Sequence, residues 1–558
     1  MELILTEIDK PFMCLNMIVK NESHIIKDTL TKLLKKIKFD YWIISDTGST
    51  DNTKQIISDF FEEKKIPGEL FQDEWKDFGY NRTKALEHAF GKSNYLLIFD
   101  ADDEICGNFV LPELTKDLYN LKFGYENVIS YIRPQIINNN KKWKYIGVLH
   151  EVIICCENID EIHTITGDYI TISGKSGSRS KDPNKYLNDA LILEREYEKA
   201  FINKDYIYNR YGFYCANSYY DYGKYEEAIK WYKKTLNNNN CFQEKYVSCL
   251  KLFICYNNLK QKELGLFYLV ESFLYDKERV ECLYELVSHY CCNNLNDVAH
   301  CYYQVVKQFY NEKYLNCDFT DKLFLDPSKA DFYLPYYMII VCYSVKDYDT
   351  AIQMYRIIFT KKYKETNKTL IGNVLFNLQF YIEHANNDLD FLNLFKEYIS
   401  FLKSINVSVN EYDFMEKYEK YGIVIDKKCI SKNKIDKNNK YETSNKILVY
   451  TGWMTHLWNE THLDKKALGG AEKAVAYLTR ELPKNYEIIV SGDVEEGVFD
   501  NVTYIHQNKL QDLLDKTVFH TIIVSRYVCF FEQFKNSKCY KLIVSAHDST
   551  GFINTASL

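Results

Sequence analysis

Tyr95-Leu96-Leu97-Ile98-Phe99-Asp100-Ala101-Asp102-Asp103-Glu104 runs from an unbroken apolar stretch straight into acids. The apolar part has the length of a buried strand, and the acids fall at its carboxyl end. Open α/β sheets bind ligands at that edge. In extended chain, residues two apart point the same way, so Asp100 and Asp102 share one face. Paired carboxylate oxygens suit a hard divalent ion such as Mg²⁺ or Mn²⁺, which can bridge a diphosphate and stabilise the charge that builds as it leaves. Taken alone, an Asp-x-Asp reads as an acidic turn capping the next helix.

Two neighbouring stretches repeat the pattern. Tyr41-Trp42-Ile43-Ile44-Ser45-Asp46-Thr47-Gly48-Ser49-Thr50-Asp51-Asn52-Thr53 is a second strand ending in an acid and a glycine turn. Ser49 or Thr50 is placed to cap the following helix, and Asp46 could accept a hydrogen bond from a nucleobase imide or a ribose hydroxyl. Earlier, Asn16-Met17-Ile18-Val19-Lys20-Asn21-Glu22 closes a first strand the same way. Three consecutive strands thus end in polar groups that meet at one edge. Helix Thr53–Lys65 carries Ile56, Ile57, Phe60 and Phe61 on one face, and Phe12–Val19, Tyr41–Ser45, Tyr95–Phe99 and Asn127–Arg133 read as strands. Apolar runs separated by amphipathic helices predict a mainly parallel α/β sheet.

At 558 residues the chain is too long for one core. Its 46% hydrophobic and 26% charged residues are those of an ordinary folded protein. A net charge of -7 and the lack of a dense basic run argue against nucleic acid as a partner. Tyr 48 and Phe 33 against Gly 21 and Pro 8 favour long packed helices over loops. The 17 Cys include the adjacent pairs Cys155-Cys156 and Cys291-Cys292 but no Cys-x-x-Cys, so no zinc or disulfide framework follows and a reducing cytoplasm is expected. The first residues lack the basic region of a signal peptide, and the most apolar stretch, Tyr333 to Val345, falls short of a membrane span.

From about Tyr186 to Tyr421 strand patterns vanish and helices follow one another. Tyr214 to Tyr232 resembles a tetratricopeptide repeat: Ala216, Gly223 and Ala228 let paired helices approach and aromatics fill the space between them. A weaker copy runs from Cys342 to Ile352, and Arg279–Asn294 with Asp297–Tyr310 reads as a degenerate pair. Lys427 to Lys446 is polar and reads as a linker. Strand-like runs then return at Ile447–Thr451, Glu487–Ser491, Val502–His506, Thr521–Ser525 and Lys541–Ala546. The expected organisation is an α/β domain over 1–190, an all-α tetratricopeptide-like solenoid over 191–422, a linker over 423–445 and a Rossmann-like α/β domain over 446–558.

Over Phe12 to roughly Asn188 the chain resembles the family 2 glycosyltransferases with a GT-A fold. The landmarks are Met17 to Glu22, Ser45 to Asp51, Tyr80-Asn81-Arg82-Thr83-Lys84-Ala85-Leu86 and Phe99 to Asp103, specific in order and spacing together. The resemblance implies transfer of a sugar from a nucleotide donor, usually with inversion at the anomeric carbon. It also implies that Glu22 and Asp46 face the nucleoside with Asn21 beside them, that Arg82 lies near the diphosphate, and that Asp100 and Asp102 hold ribose and metal. Without it, Arg82 reads as a solvated helix charge. Trp143-Lys144-Tyr145-Ile146-Gly147-Val148-Leu149-His150-Glu151 looks like the aromatic-Gly-Val-x-His-Glu segment of members that carry helical repeats. On that likeness His150 could be a further metal ligand, and Glu151 the general base or the group that orients His150, with Asp103 as the rival base. Ser173-Gly174-Lys175-Ser176-Gly177-Ser178-Arg179-Ser180-Lys181 is a small-residue basic loop. Lys175 and Arg179 could close it over a donor diphosphate, or it could simply connect to the helices.

Leu468-Gly469-Gly470-Ala471-Glu472 opens a helix after a strand and loop, and resembles the Gly-Gly-x-Glu turn in the first half of family 4 GT-B glycosyltransferases. The half that binds the donor nucleotide in those enzymes has no counterpart, so a truncated frame or a retained binding domain is expected rather than a second active site. The Lys-, Asn-, Ile- and Tyr-heavy composition with this domain order looks like glycosyltransferases of giant DNA viruses similar to mimivirus, which implies the infected cell's cytoplasm. The resulting expectation is a transferase dependent on Mn²⁺ or Mg²⁺. Its donor is a nucleotide-diphosphate sugar, UDP-sugar first, and its acceptor a glycan or protein held by the helical repeats. The alternative is a repeat-based adaptor with a relic transferase domain.

Overall fold

A computed structural model of the chain describes residues 10–125, 128–174, 176–316, 322–365, 367–407, 409, 413–423, 445–452, 457–459, 461, 470–525, 534 and 539–545. Contacts divide the chain into two compact units, 1–288 with 298–338, and 289–297 with 339–558.

The first unit opens as an α/β layer: β1 (Met13–Val19), α1 (Ile26–Leu34), β2 (Tyr41–Asp46), α2 (Thr53–Lys64), β3 (Gly68–Gln72), α3 (Phe78–Ala89) and β4 (Tyr95–Ile98). Then come β5 (Asp103–Gly107), β6 (Leu118–Tyr125), β7 (Val128–Asn138), β8 (Trp143–Ile146), β9 (Val152–Cys155), β10 (Ile162–Thr164) and β11 (Tyr169–Ser173). The main sheet runs β3-β2-β1-β4-β7-β6-β11-β5, with β10 alongside β6. Strands β3, β2, β1 and β4 are parallel, while β7 enters antiparallel to both β4 and β6. The expected parallel sheet therefore holds for its first half, and the second half is mixed.

Alternation along β1 explains why it is central. Met13, Leu15 and Met17 enter the core cluster shared with α1 and α2, while Cys14 enters the cluster shared with Leu86 and Ala89 of α3. Asn16, the polar residue on that second face, donates Nδ2 to the Ala85 carbonyl at 2.9 Å, so a buried amide is satisfied. Each fully buried aliphatic side chain is worth about 1.5–3 kcal/mol, enough to fix the register that brings Val19, Asp46 and Phe99 to one edge.

Helices α4 (Lys185–Ile202), α5 (Ile207–Tyr222), α6 (Tyr225–Asn237), α7 (Phe242–Asn258) and α8 (Lys262–Glu271) follow. Next are α9 (Glu281–Cys292), α10 (Asn296–Gln304), α11 (Lys307–Glu312), α12 (Leu334–Val345), α13 (Tyr348–Lys361), α14 (Lys368–Asn377) and α15 (Leu389–Ser404). The repeat-like motif lies on the α5–α6 hairpin, where Gly223 at φ +87 ends α5 and Ala216 and Ala228 are fully buried. Among the described residues no helix is long and apolar enough to cross a membrane.

The carboxyl-terminal sheet comprises β12 (Lys446–Gly452), α16 (Gly470–Glu481), β13 (Glu487–Gly492), β14 (Gly497–Phe499), β15 (Val502–His506), α17 (Leu510–Lys516), β16 (Phe519–Ser525) and β17 (Cys539–Ser545). Its order is β14-β15-β13-β12-β16-β17, parallel except for β14 at one edge. Almost all of the expected linker, and Gly469, lie outside the described residues.

Candidate active site

The carboxyl ends of β1 and β2 are stitched together. Asn21 adopts φ +58, a left-handed conformation that asparagine tolerates. Its backbone N–H donates to Ser49 Oγ at 2.9 Å, and its Oδ1 accepts from Thr50 N at 2.8 Å. The α2 N-terminus is capped by neither Ser49 nor Thr50: Asp51 Oδ1 accepts from Thr53 N at 3.0 Å. The two expected caps are engaged by Asn21 instead. Asp46 is 1% exposed. Its Oδ1 accepts from Gly48 N and Ser49 N, and its Oδ2 is buried without a partner.

After β4 the chain turns at once, so Asp100 and Asp102 stand on a turn rather than on extended strand, and Asp103 opens β5. Asp100 is gripped at both oxygens, by Arg82 Nη2 at 2.7 Å and Arg133 Nη2 at 2.8 Å. Burial works against its ionisation, but the two guanidinium charges outweigh it and hold the carboxyl well below its ordinary range. Asp103 has a fully covered side chain, accepts from Ser173 Oγ at 3.0 Å and is pushed up by burial and then by the Asp100 charge.

Asp102 lies against the loop after β11. Gly177 N donates to its Oδ2 at 3.3 Å, and Ser178 N donates to Glu22 at 3.1 Å. A Cβ at Gly174 would fall 2.0 Å from the Asp102 carbonyl oxygen, so only glycine permits this approach. Burial, then the Asp100 charge, raises Asp102; burial also raises Glu22, with Asp102 adding to it. Negative charge is crowded there.

Arg82 is buried on α3 rather than solvated, and its Nε donates to Glu151 Oε1 at 2.7 Å. The helix comes close enough because a Cβ on Gly79 would sit 2.2 Å from the Gly147 carbonyl oxygen. His150, at φ +52, stacks on Tyr214 with ring centroids 4.1 Å apart. Its residue surface is open along the cleft, yet the surrounding protein mass, then Arg210, Arg179 and Lys185, holds its imidazole below the ordinary range and so neutral.

These groups enclose two adjoining cavities. One, of about 630 Å³, is lined by Asn21, Glu22, Trp75, Asp102, Ser178 and Lys185. The other, of about 520 Å³, is lined by Tyr131, Arg133, Tyr145, Glu151, Arg210 and Tyr214. Phe78, Arg82, Asp100, His150 and Arg179 line both. Asp46 and Asp103 line neither, and Lys175 lies outside the described residues. Among the described residues no group of three or more His, Cys, Asp and Glu could by itself hold a metal ion.

Residues 14–153 match the family model for glycosyl transferase family 2. The matched span runs from β1 into β9, carries Glu22, Arg82, Asp100, Asp102 and Glu151, and supports glycosyltransferase activity. No curated protein matches the sequence significantly. Among solved structures, S. aureus TarS is similar at 13% identity and a TM-score of 0.26, over 46% of this chain and 54% of TarS. The chain thus spans about half the length of that structure. S. aureus TarS 1-349 in complex with UDP-GlcNAc gives 15% identity and a TM-score of 0.27, over 47% and 90%.

Within the family 2 span, sequence reasoning missed Arg133. Its signal was the one charge in the β7 run Val128–Asn138. Beyond the span it missed Lys185, Arg210 and Tyr214, which belong to α4 and α5 and carry no local mark of a site.

Proposed function

We propose that the chain transfers a sugar from a nucleotide-diphosphate sugar to an acceptor hydroxyl. The reading is supported by the larger cavity, which gathers Glu22, Asp102, Arg82, Arg179 and Lys185 at the carboxyl edge of β1 and β4. Arginines and a lysine suit phosphate oxygens. The crowded acids suit a dication, because such an ion offsets what raises Asp102, burial first and the Asp100 charge second. Mg²⁺ and its like bind through one or two carboxylates completed by substrate phosphates rather than a full protein cage. Asp102, with Glu22 beside it, would hold Mn²⁺ or Mg²⁺, and the ion would supply neutralisation of the departing diphosphate.

Of the carboxylates lining the second cavity, Asp100 has both oxygens on arginines, which leaves Glu151 to take the acceptor's proton. Arg82 fixes Glu151 through Oε1. Neutral His150 adds no cation at the seam between the cavities, and Asp103, sealed behind Arg133, keeps that arginine in place. A base across the seam from the leaving group fits inversion by single displacement. On this reading the donor is a UDP-sugar, the compartment is the cytoplasm, the α5–α6 hairpin begins a tetratricopeptide-like array that presents a glycan or protein acceptor, and 446–558 is a Rossmann-like domain similar to the first half of a GT-B enzyme.

Hydrolysis and transfer from a panel of nucleotide sugars by the full chain, with Mn²⁺ and with chelator, tests the reading. Turnover that needs the ion and disappears in Asp102→Asn is expected. A protein that binds and turns over no nucleotide sugar would leave the adaptor reading standing.

A further inference from the structure

We infer that the second cavity is an acceptor subsite for a sugar bearing an anionic group, a carboxylate or a phosphate, with Arg210 as its contact. The inference rests on the transferase reading above. Among the described residues this cavity is faced by four arginines, 82, 133, 179 and 210, but by only two carboxylates, Asp100 and Glu151. Those two carboxylates are occupied by Arg82 and Arg133. Arg179 pairs with Asp189, which lines neither cavity.

Arg210 is left. It forms no ion pair among the described residues, and its Nε donates to the His150 carbonyl at 2.6 Å. Its guanidinium lies 4.7 Å from the Tyr214 ring centroid. Glu244, whose carboxyl feels the Arg210 charge, is hydrogen-bonded by Asn240 Nδ2 at 2.7 Å. Its bond to the His150 carbonyl and a side-chain hydrogen bond to Tyr214 orient the guanidinium, and the rest of its planar fork of donors faces the cavity. Such a fork matches the two oxygens of a carboxylate or phosphate.

The walls fit a sugar ring. Tyr131 and Phe324 meet edge to face at 5.8 Å, and Tyr145 and Tyr214 line the same cavity. Aromatic faces with a few convergent polar groups are how sites of this size fix a small ligand. Arg210 and Tyr214 both stand on α5, so the first helices after the sheet domain complete the acceptor site rather than only following it.

The test is binding of methyl glucoside, methyl glucuronide and glucose 6-phosphate to the full chain, by saturation-transfer NMR and calorimetry, with nucleotide-sugar binding measured in parallel. The anionic sugars should bind roughly ten-fold or more tightly than the neutral one. Preference between glucuronide and phosphate identifies the source of the anion. Arg210→Gln should erase the difference, and Arg210→Lys, which keeps charge without the fork, should retain part of it. Equal binding of all three probes, or a preference that survives Arg210→Gln, overturns the inference. Loss of every nucleotide-sugar interaction in the parent chain would instead overturn the transferase reading.

Discussion

Arg82 Nε and Glu151 Oε1 stand 2.7 Å apart, tying α3 to the residue after His150 across 69 positions of sequence. The same guanidinium grips Asp100 at 2.7 Å, so one arginine joins acids on the two sides of the cleft.

Arg82→Met therefore leaves Glu151 without its partner and Asp100 with only Arg133. Breaking part of a buried charge network should cost about 3 kcal/mol, read by urea denaturation. Sugar transfer should fall roughly a hundred-fold, because both acids lose their positions. Arg82→Lys should recover some stability but little turnover, since an ammonium cannot serve two carboxylates in a fork.

Asp102→Asn should abolish ion-dependent donor hydrolysis, a loss of roughly a hundred-fold or more in kcat. The thermal midpoint should hold or rise, because the charge removed is one that burial and Asp100 already disfavour. Chelation of the parent protein should give the same loss of turnover and be reversed by Mn²⁺.

Asp103 supplies a pH prediction. Its carboxyl is pushed up from 3.8 to about 7, by burial first and the Asp100 charge second. Between those values the unfolded chain has released a proton that the folded chain retains, so stability falls as pH rises through the window. Asp103→Asn lacks that slope. Denaturation across the window should show the variant gaining on the parent by on the order of 4 kcal/mol at its upper end.

Glycines of the loop after β11 should differ in their tolerance. At Gly174 a Cβ would meet Asp102 backbone at 2.0 Å, whereas at Gly177 it would meet only the end of the Asp102 side chain at 2.9 Å. Gly174→Ala should lower stability by about 1–3 kcal/mol. Gly177→Ala should leave the thermal midpoint nearly unchanged while weakening donor binding several-fold, measured by calorimetry.

Much of the sheet was legible because apolar runs bounded by turns dictate strands: Met13–Val19, Tyr41–Asp46 and Tyr95–Ile98 lie within a residue of expectation. Spacing also placed Glu22 and Asp102 at one edge. What spacing could not show was pairing. Asp100 looks like a free carboxylate until Arg82 and Arg133 arrive from distant elements, and Arg82 looks solvated until Gly79 lets α3 close on Gly147. Tyr214 opened a run whose small and aromatic residues read as helix packing, and Arg210 lay just ahead of it. Their orientation depends on a tertiary contact with His150 that no local pattern encodes.

The approach of Gly79 to Gly147 makes α3 and the segment bearing Glu151 a single mechanical cassette. A chimera that grafts 143–155 from a relative while keeping the resident 77–89 would inherit mismatched backbones and an arginine out of reach. Exchange of acceptor preference by recombination must therefore move both stretches together.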